Sequence, residues 1–81
     1  MGINNIEYNG AMLTQKQYDI VMFMKEYLAE NDNMPTRVKV ADFLGISGVF
    51  SAQRHVVTLI NKGILEYLED GSGRIRFSRD P

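Results

Sequence analysis

Apolar residues return at helical spacing in three stretches of this chain and then alternate with polar ones in two short runs near its end. The first stretch opens at Leu13-Thr14-Gln15-Lys16-Gln17-Tyr18. Thr14 can cap the amide of Gln17, Gln17 can reach back, and Leu13 can staple onto Tyr18. Ile20, Val21, Phe23, Met24, Tyr27 and Leu28 then make one broad apolar face, with Gln17, Asp19, Lys25 and Glu26 outside it. Asn31-Asp32-Asn33 followed by Met34-Pro35 ends this helix near Asn31. Thr36 can cap a second helix of about two turns, with Val40, Ala41 and Leu44 buried and Gly45 closing it in the left-handed conformation. Ile46-Ser47-Gly48 leads tightly into a third helix over 49–62, which buries Ala52, Val56, Leu59 and Ile60 and stops at Gly63. Residues 64–68 and 74–78 read as strands, joined by the flexible turn Glu69-Asp70-Gly71-Ser72-Gly73. Residues 1–12 read as an arm with weak strand character, where Ile6 and Tyr8 alternate ahead of the turn signal Asn9-Gly10.

The expected fold is therefore mainly α with a small β-hairpin. A short helix, a glycine-containing turn and a longer helix form a helix-turn-helix, and the hairpin directly after it adds a wing. The expected division is an arm over 1–12 and a winged helix-turn-helix domain over 13–81. With 81 residues, 44% of them hydrophobic, there is room for one core only. Having no cysteine and a single histidine, the chain has no disulfide, zinc finger or thiol chemistry open to it. No apolar run reaches the roughly 18 residues of a membrane span, and the N-terminus lacks the basic cluster of a signal peptide. The expectation is a soluble, cytoplasmic, nucleoid-associated protein with no membrane partner.

A net charge of -1 argues against indiscriminate binding of polyanions, but the charges are unevenly spread. Residues 1–35 hold two lysines against five carboxylates, whereas 36–81 hold seven lysines and arginines against five. A phosphate backbone would bind the second half. In a winged helix-turn-helix the third helix enters the major groove, where each base pair presents its own donor and acceptor pattern, while flanking cations hold phosphates. The groove-facing positions at the start of that helix are Gly48, Phe50, Ser51, Gln53 and Arg54. Phe50, Ser51, Gln53 and Arg54 are the candidate base readers, since Gln pairs with adenine and Arg with guanine in bidentate fashion. Arg37, Lys39, Arg74 and Arg76 are the candidate backbone contacts, the last two alternating with Ile75 and Phe77.

Each assignment has a plainer counterpart. Gln53 and Arg54 can be ordinary exposed helix residues, Arg74, Arg76 and Arg79 a charged strand edge that resists aggregation, and His55 a packing residue. Phe43, Val49 and Phe50 are apolar residues off the buried stripes. They suit thymine methyl contact, or a protein partner. Tyr18 and Met22 form a further apolar pair on the outer side of the first helix. Either Ile3, Ile6, Tyr8 and Met12 of the arm fold over the pair, or arm and pair dimerise two chains.

The residues Leu13-Thr14 with Gln17, Pro35-Thr36-Arg37, Ala41 with Leu44-Gly45, Ala52, His55, Leu59, Lys62-Gly63, Glu66 and Ile75-Arg76 together resemble the N-terminal DNA-binding domain of the LexA repressor family. The likeness runs over residues 13–78 without a gap. It implies a winged helix-turn-helix that binds operator DNA. In the family the base-reading segment resembles Ser-Pro-Asn-Ala followed by two acidic residues. This chain has Gly48-Val49-Phe50-Ser51 followed by Gln53-Arg54, so the operator does not carry over. The family also joins this domain to a self-cleaving peptidase domain that dimerises the repressor. With the sequence ending at Pro81, no autoproteolysis is expected of it.

Catalysis has no support in the pattern: no nucleophile stands beside a base, and Gly71-Ser72-Gly73 is a hairpin turn rather than a phosphate loop. No cofactor, metal or small-molecule ligand is expected. The function expected is sequence-specific binding of double-stranded DNA by a small bacterial or phage transcriptional regulator, as a homodimer or with a partner. The alternative is a winged-helix adaptor or inhibitor that captures a protein through Phe43, Val49 and Phe50.

Overall fold

Two threonines start the first two helices by the same device, a side-chain hydroxyl turned onto a free backbone amide. The computed structural model describes residues 6–78. In it α1 (Gln15–Asn31) opens with a full capping box: the Gln17 amide donates to Thr14 Oγ1 at 3.2 Å, and the Thr14 amide donates to Gln17 Oε1 at 2.9 Å. α2 (Arg37–Leu44) opens with the Lys39 amide on Thr36 Oγ1 at 3.3 Å. It closes at Gly45, whose φ of 73° lets the next amide, that of Ile46, turn back onto the Ala41 carbonyl. α3 (Val49–Asn61) follows after four residues, at 101° to α2. That is the angle of a helix-turn-helix.

The wing pairs β3 (Leu65–Tyr67) with β4 (Ile75–Phe77) antiparallel, with Glu66 opposite Arg76. These strands are shorter than the 64–68 and 74–78 expected, yet the ladder reaches those limits. Leu68 donates to the Arg74 carbonyl and Ser78 to that of Ile64.

The N-terminal segment is more ordered than the expected arm. β1 (Ile6–Tyr8) and β2 (Ala11–Leu13) form a hairpin around the two-residue turn Asn9-Gly10, both at positive φ (51° and 85°). This is the backbone of a type I′ turn, whose twist matches that of the strands it joins. The boundary expected between residues 12 and 13 thus falls inside β2. Leu13 belongs to hairpin and core at once, with no exposed surface.

Every described element but β1 places a residue in one core: Leu13 from β2, Ile20, Val21 and Met24 from α1, Val40 and Ala41 from α2, Ala52, Val56 and Leu59 from α3, Leu65 and Ile75 from the wing. The hairpin packs along α1, and Tyr8, Ala11, Tyr18 and Met22 lie partly buried against the core. Lys25 fastens it by donating to the Tyr8 hydroxyl at 3.2 Å while lying 5.3 Å from the ring centre. At the other end Lys62 Nζ donates to the Met12 carbonyl at 2.7 Å. Tyr18 and Met22 are thus partly covered within the chain. Met12 points away, half exposed, and takes no part in the cover. Ile3 lies outside the described residues.

Gly45 isolates the backbone contribution, because a Cβ there would meet nothing within 4 Å. Gly45→Ala should lower stability by about 1–2 kcal/mol through left-handed strain alone, while Gly48→Ala, at φ -119°, should cost far less. Urea midpoints at unchanged m values would measure both.

Candidate nucleic-acid interface

At 100° per residue, α3 turns Ala52, Val56 and Leu59 into the core, leaves Phe50 and Arg54 on the opposite side, and puts the exposed Ser51 on the flank toward α1. Phe50 is 84% exposed, the most open of the large hydrophobic residues described. Neither the Arg54 guanidinium nor the Ser51 hydroxyl has a hydrogen-bond or ionic partner among the described residues. Three of the four expected base readers are therefore exposed, Phe50 and Arg54 on the outer face and Ser51 beside them on the α1 flank.

Gln53 does not. It sits on the flank of α3 that faces α2 and the wing, where its Oε1 accepts from Arg37 Nε at 2.6 Å and its Nε2 donates weakly to the Tyr67 hydroxyl at 3.4 Å. The other arm of the Arg37 guanidinium donates to the Gly73 carbonyl at 3.2 Å. Two expected ligand contacts, a base reader and a phosphate anchor, bond each other in the folded chain. The cause is geometric: Arg37 opens α2 beside the middle of α3, and a half-buried guanidinium with an amide oxygen in reach bonds it. Tyr67 joins this network and has no local sequence signal that would have revealed it.

The wing arginines are likewise paired. Arg76 Nε donates to Glu66 at 2.6 Å directly across the strands. Arg74 lies outside β4, in the connecting turn. It bonds Asp70 at 3.3 Å and Ser72 Oγ at 3.3 Å while staying largely exposed. Hydrogen bonds from Ser72 and then Arg74 hold the Asp70 carboxyl below its ordinary value. Arg79 lies outside the described residues. Among the expected backbone contacts Lys39 alone is an exposed cation without a partner among the described residues.

A polar cleft of about 340 Å³ runs between the first turn of α1 and α3, lined by Gln17, Ser51, Arg54, His55 and Thr58. Lys16 stands close enough to act on His55 by charge. Lys16 was not among the expected contacts, since only tertiary structure brings it within reach of His55. His55, half-buried as a packing residue should be, is pushed below the ordinary histidine value by burial and then by the charges of Lys16 and Arg54.

The apolar residues separate into two environments. Phe43 stacks on Phe23 of α1, ring centres 4.4 Å apart and planes at 11°. One face of its ring is thereby covered, yet Phe43 stays as exposed as Val49, and Phe50 is the most open of the three.

Arg37→Met and Gln53→Ala should each lower stability by about 1–2 kcal/mol. The double variant should lose little more than either, a non-additivity that a double-mutant cycle in urea would measure. Because the folded chain holds His55 neutral more readily than the unfolded chain does, the stability this contributes is complete above about pH 6.5 and is lost as the pH falls from there through the folded value. Thermal midpoints across pH 5–8 should show that decline, and His55→Gln should flatten it.

The sequence matches the family described as LexA DNA binding domain over residues 11–74. It is 32% identical over 66 residues to the LexA repressor of Cellvibrio japonicus, covering 82% of this chain and 33% of that protein. The LexA repressor of Pseudomonas chlororaphis is 36% identical over 64 residues, with 79% and 32% covered, and that of Shewanella amazonensis 34% over 68 residues, with 84% and 33%. The chain spans about a third of the length of these curated relatives. Helix angle, wing and matched residues coincide, and the chain belongs to the LexA DNA-binding domain family.

Proposed function

We propose that the protein is a sequence-specific double-stranded DNA-binding transcriptional regulator that reads the major groove with α3. The carrying observation is the outward side of α3, where Phe50 and Arg54, with Ser51 beside them, lie free at the start of the second helix of a helix-turn-helix. Groove-reading helices of this class contact base edges through their N-terminal residues. Arg54 is the specific donor and Ser51 an adaptable one. Lys39, and Lys16 beside the polar cleft, hold phosphates on either side. Arg74 and Arg76 approach the backbone only by sharing or leaving Asp70 and Glu66.

Arg37 and Gln53 are positioning residues in this reading: they fix the wing against α3 without touching DNA. The relatives are named repressors, and the same role is proposed here, on the nucleoid in the cytoplasm. One chain presents one reading helix, so strong binding calls for two copies on adjacent half-sites. The competing reading, capture of a protein through Phe43, Val49 and Phe50, is weakened by the stacking of Phe43 on Phe23.

Fluorescence anisotropy on duplexes retained from a random pool tests the proposal. Arg54→Ala should weaken the selected site by about 1–3 kcal/mol and relax its base preference, whereas Lys39→Ala should weaken all sequences alike and reduce the salt slope by about 1. Equal affinity of parent and both variants for every duplex would overturn it.

A further inference from the structure

We infer that Phe50 reads DNA through an apolar contact, so that the site contains a thymine whose 5-methyl group packs on its ring, beside the base pair addressed by Arg54. This rests on the DNA-binding reading and specifies its chemistry. An aromatic ring left 84% in water on the outermost side of a short domain gains most from an apolar group brought to it. In the major groove the thymine methyl is the apolar group on offer.

The neighbours of Phe50 favour a base edge over a protein face. Arg54 stands on the same side one turn on, and Ser51 flanks the ring, both without partners among the described residues; Arg54 also separates Phe50 from the part-exposed Val57. Apolar surface interrupted by a free guanidinium suits a groove where methyl groups alternate with acceptors such as the O6 and N7 of guanine. Phe43 has one ring face stacked on Phe23, and although it and Val49 keep some exposed surface, each is about half as open as Phe50. Gln53, the residue of α3 suited to a bidentate adenine contact, is held by Arg37. What remains on the helix is a methyl reader and a guanine reader. Four residues of helix separate them by about 6 Å, under two base-pair steps of about 3.4 Å. Thymine and a G·C pair are therefore expected within two steps of each other.

Uracil tests this in the unaltered protein, because replacing thymine by deoxyuridine removes the methyl and leaves every hydrogen-bonding group. The duplex motif retained by the parent from a random pool would be rebuilt with uracil at each thymine in turn, and anisotropy titrations run with the parent and with Phe50→Ala. At one or two positions per half-site uracil should weaken the parent about fourfold, the equivalent of one buried methyl group. Phe50→Ala should bind the thymine and uracil duplexes equally. Because Phe50 is exposed, the variant keeps its fold, which circular dichroism would verify. If the parent binds a selected motif but does not distinguish uracil from thymine, or if the motif lacks thymine near its G·C pair, the methyl contact is wrong and the DNA-binding reading survives. If the parent retains no duplex at low salt, both fall.

Discussion

The guanidinium of Arg37 touches α3 through Gln53 and the wing through the Gly73 carbonyl while its own backbone begins α2, so three elements meet in one planar group. The apolar core alone would let them slide. Ile75 and Leu65 fix how deep the wing sits, but van der Waals contact between aliphatic side chains is non-directional and tolerates rotation. Directed bonds from a planar fork do not. The wing's own charges reinforce the same order, since Glu66 and Arg76 face each other across β3 and β4 and lock the register. With no cysteine in the chain, specificity of packing rests on such polar contacts over a small core.

What could be read from the sequence was what depends on neighbours within a few residues. Thr14 with Gln17, Thr36, and Gly45 are local devices, and α1 begins and α2 begins and ends where they sit. The buried faces followed from spacing, with Ile20, Val21, Met24, Ala52, Val56 and Leu59 all enclosed. The N-terminal hairpin was half visible: Asn9-Gly10 announced its turn, but strands of three residues are too short for alternation to identify them.

The site was less legible for the same physical reason in reverse. Arg37 and Gln53 are 16 positions apart, and nothing near either one says that two exposed-looking polar residues will bond each other. Phe43 looked unsatisfied because its partner Phe23 is on another helix. Lys16 acts on His55 by charge from another helix, 39 positions away in sequence. Charge and polarity mark what a side chain can do, whereas its partner is decided by tertiary geometry.

The helix α3 is held along its length. Gln53 ties its first half to α2 and the wing, Ala52, Val56 and Leu59 seat it on the core, and Lys62, just past its end, is bonded to the Met12 carbonyl of the N-terminal hairpin. Under the proposed function, a helix restrained in this way would enter a groove as a rigid rod, its backbone entropy surrendered when the chain folded rather than when it meets its ligand. Little ordering then separates encounter from a seated complex. Discrimination among sites would accordingly fall on how long each complex lasts rather than on how fast it forms.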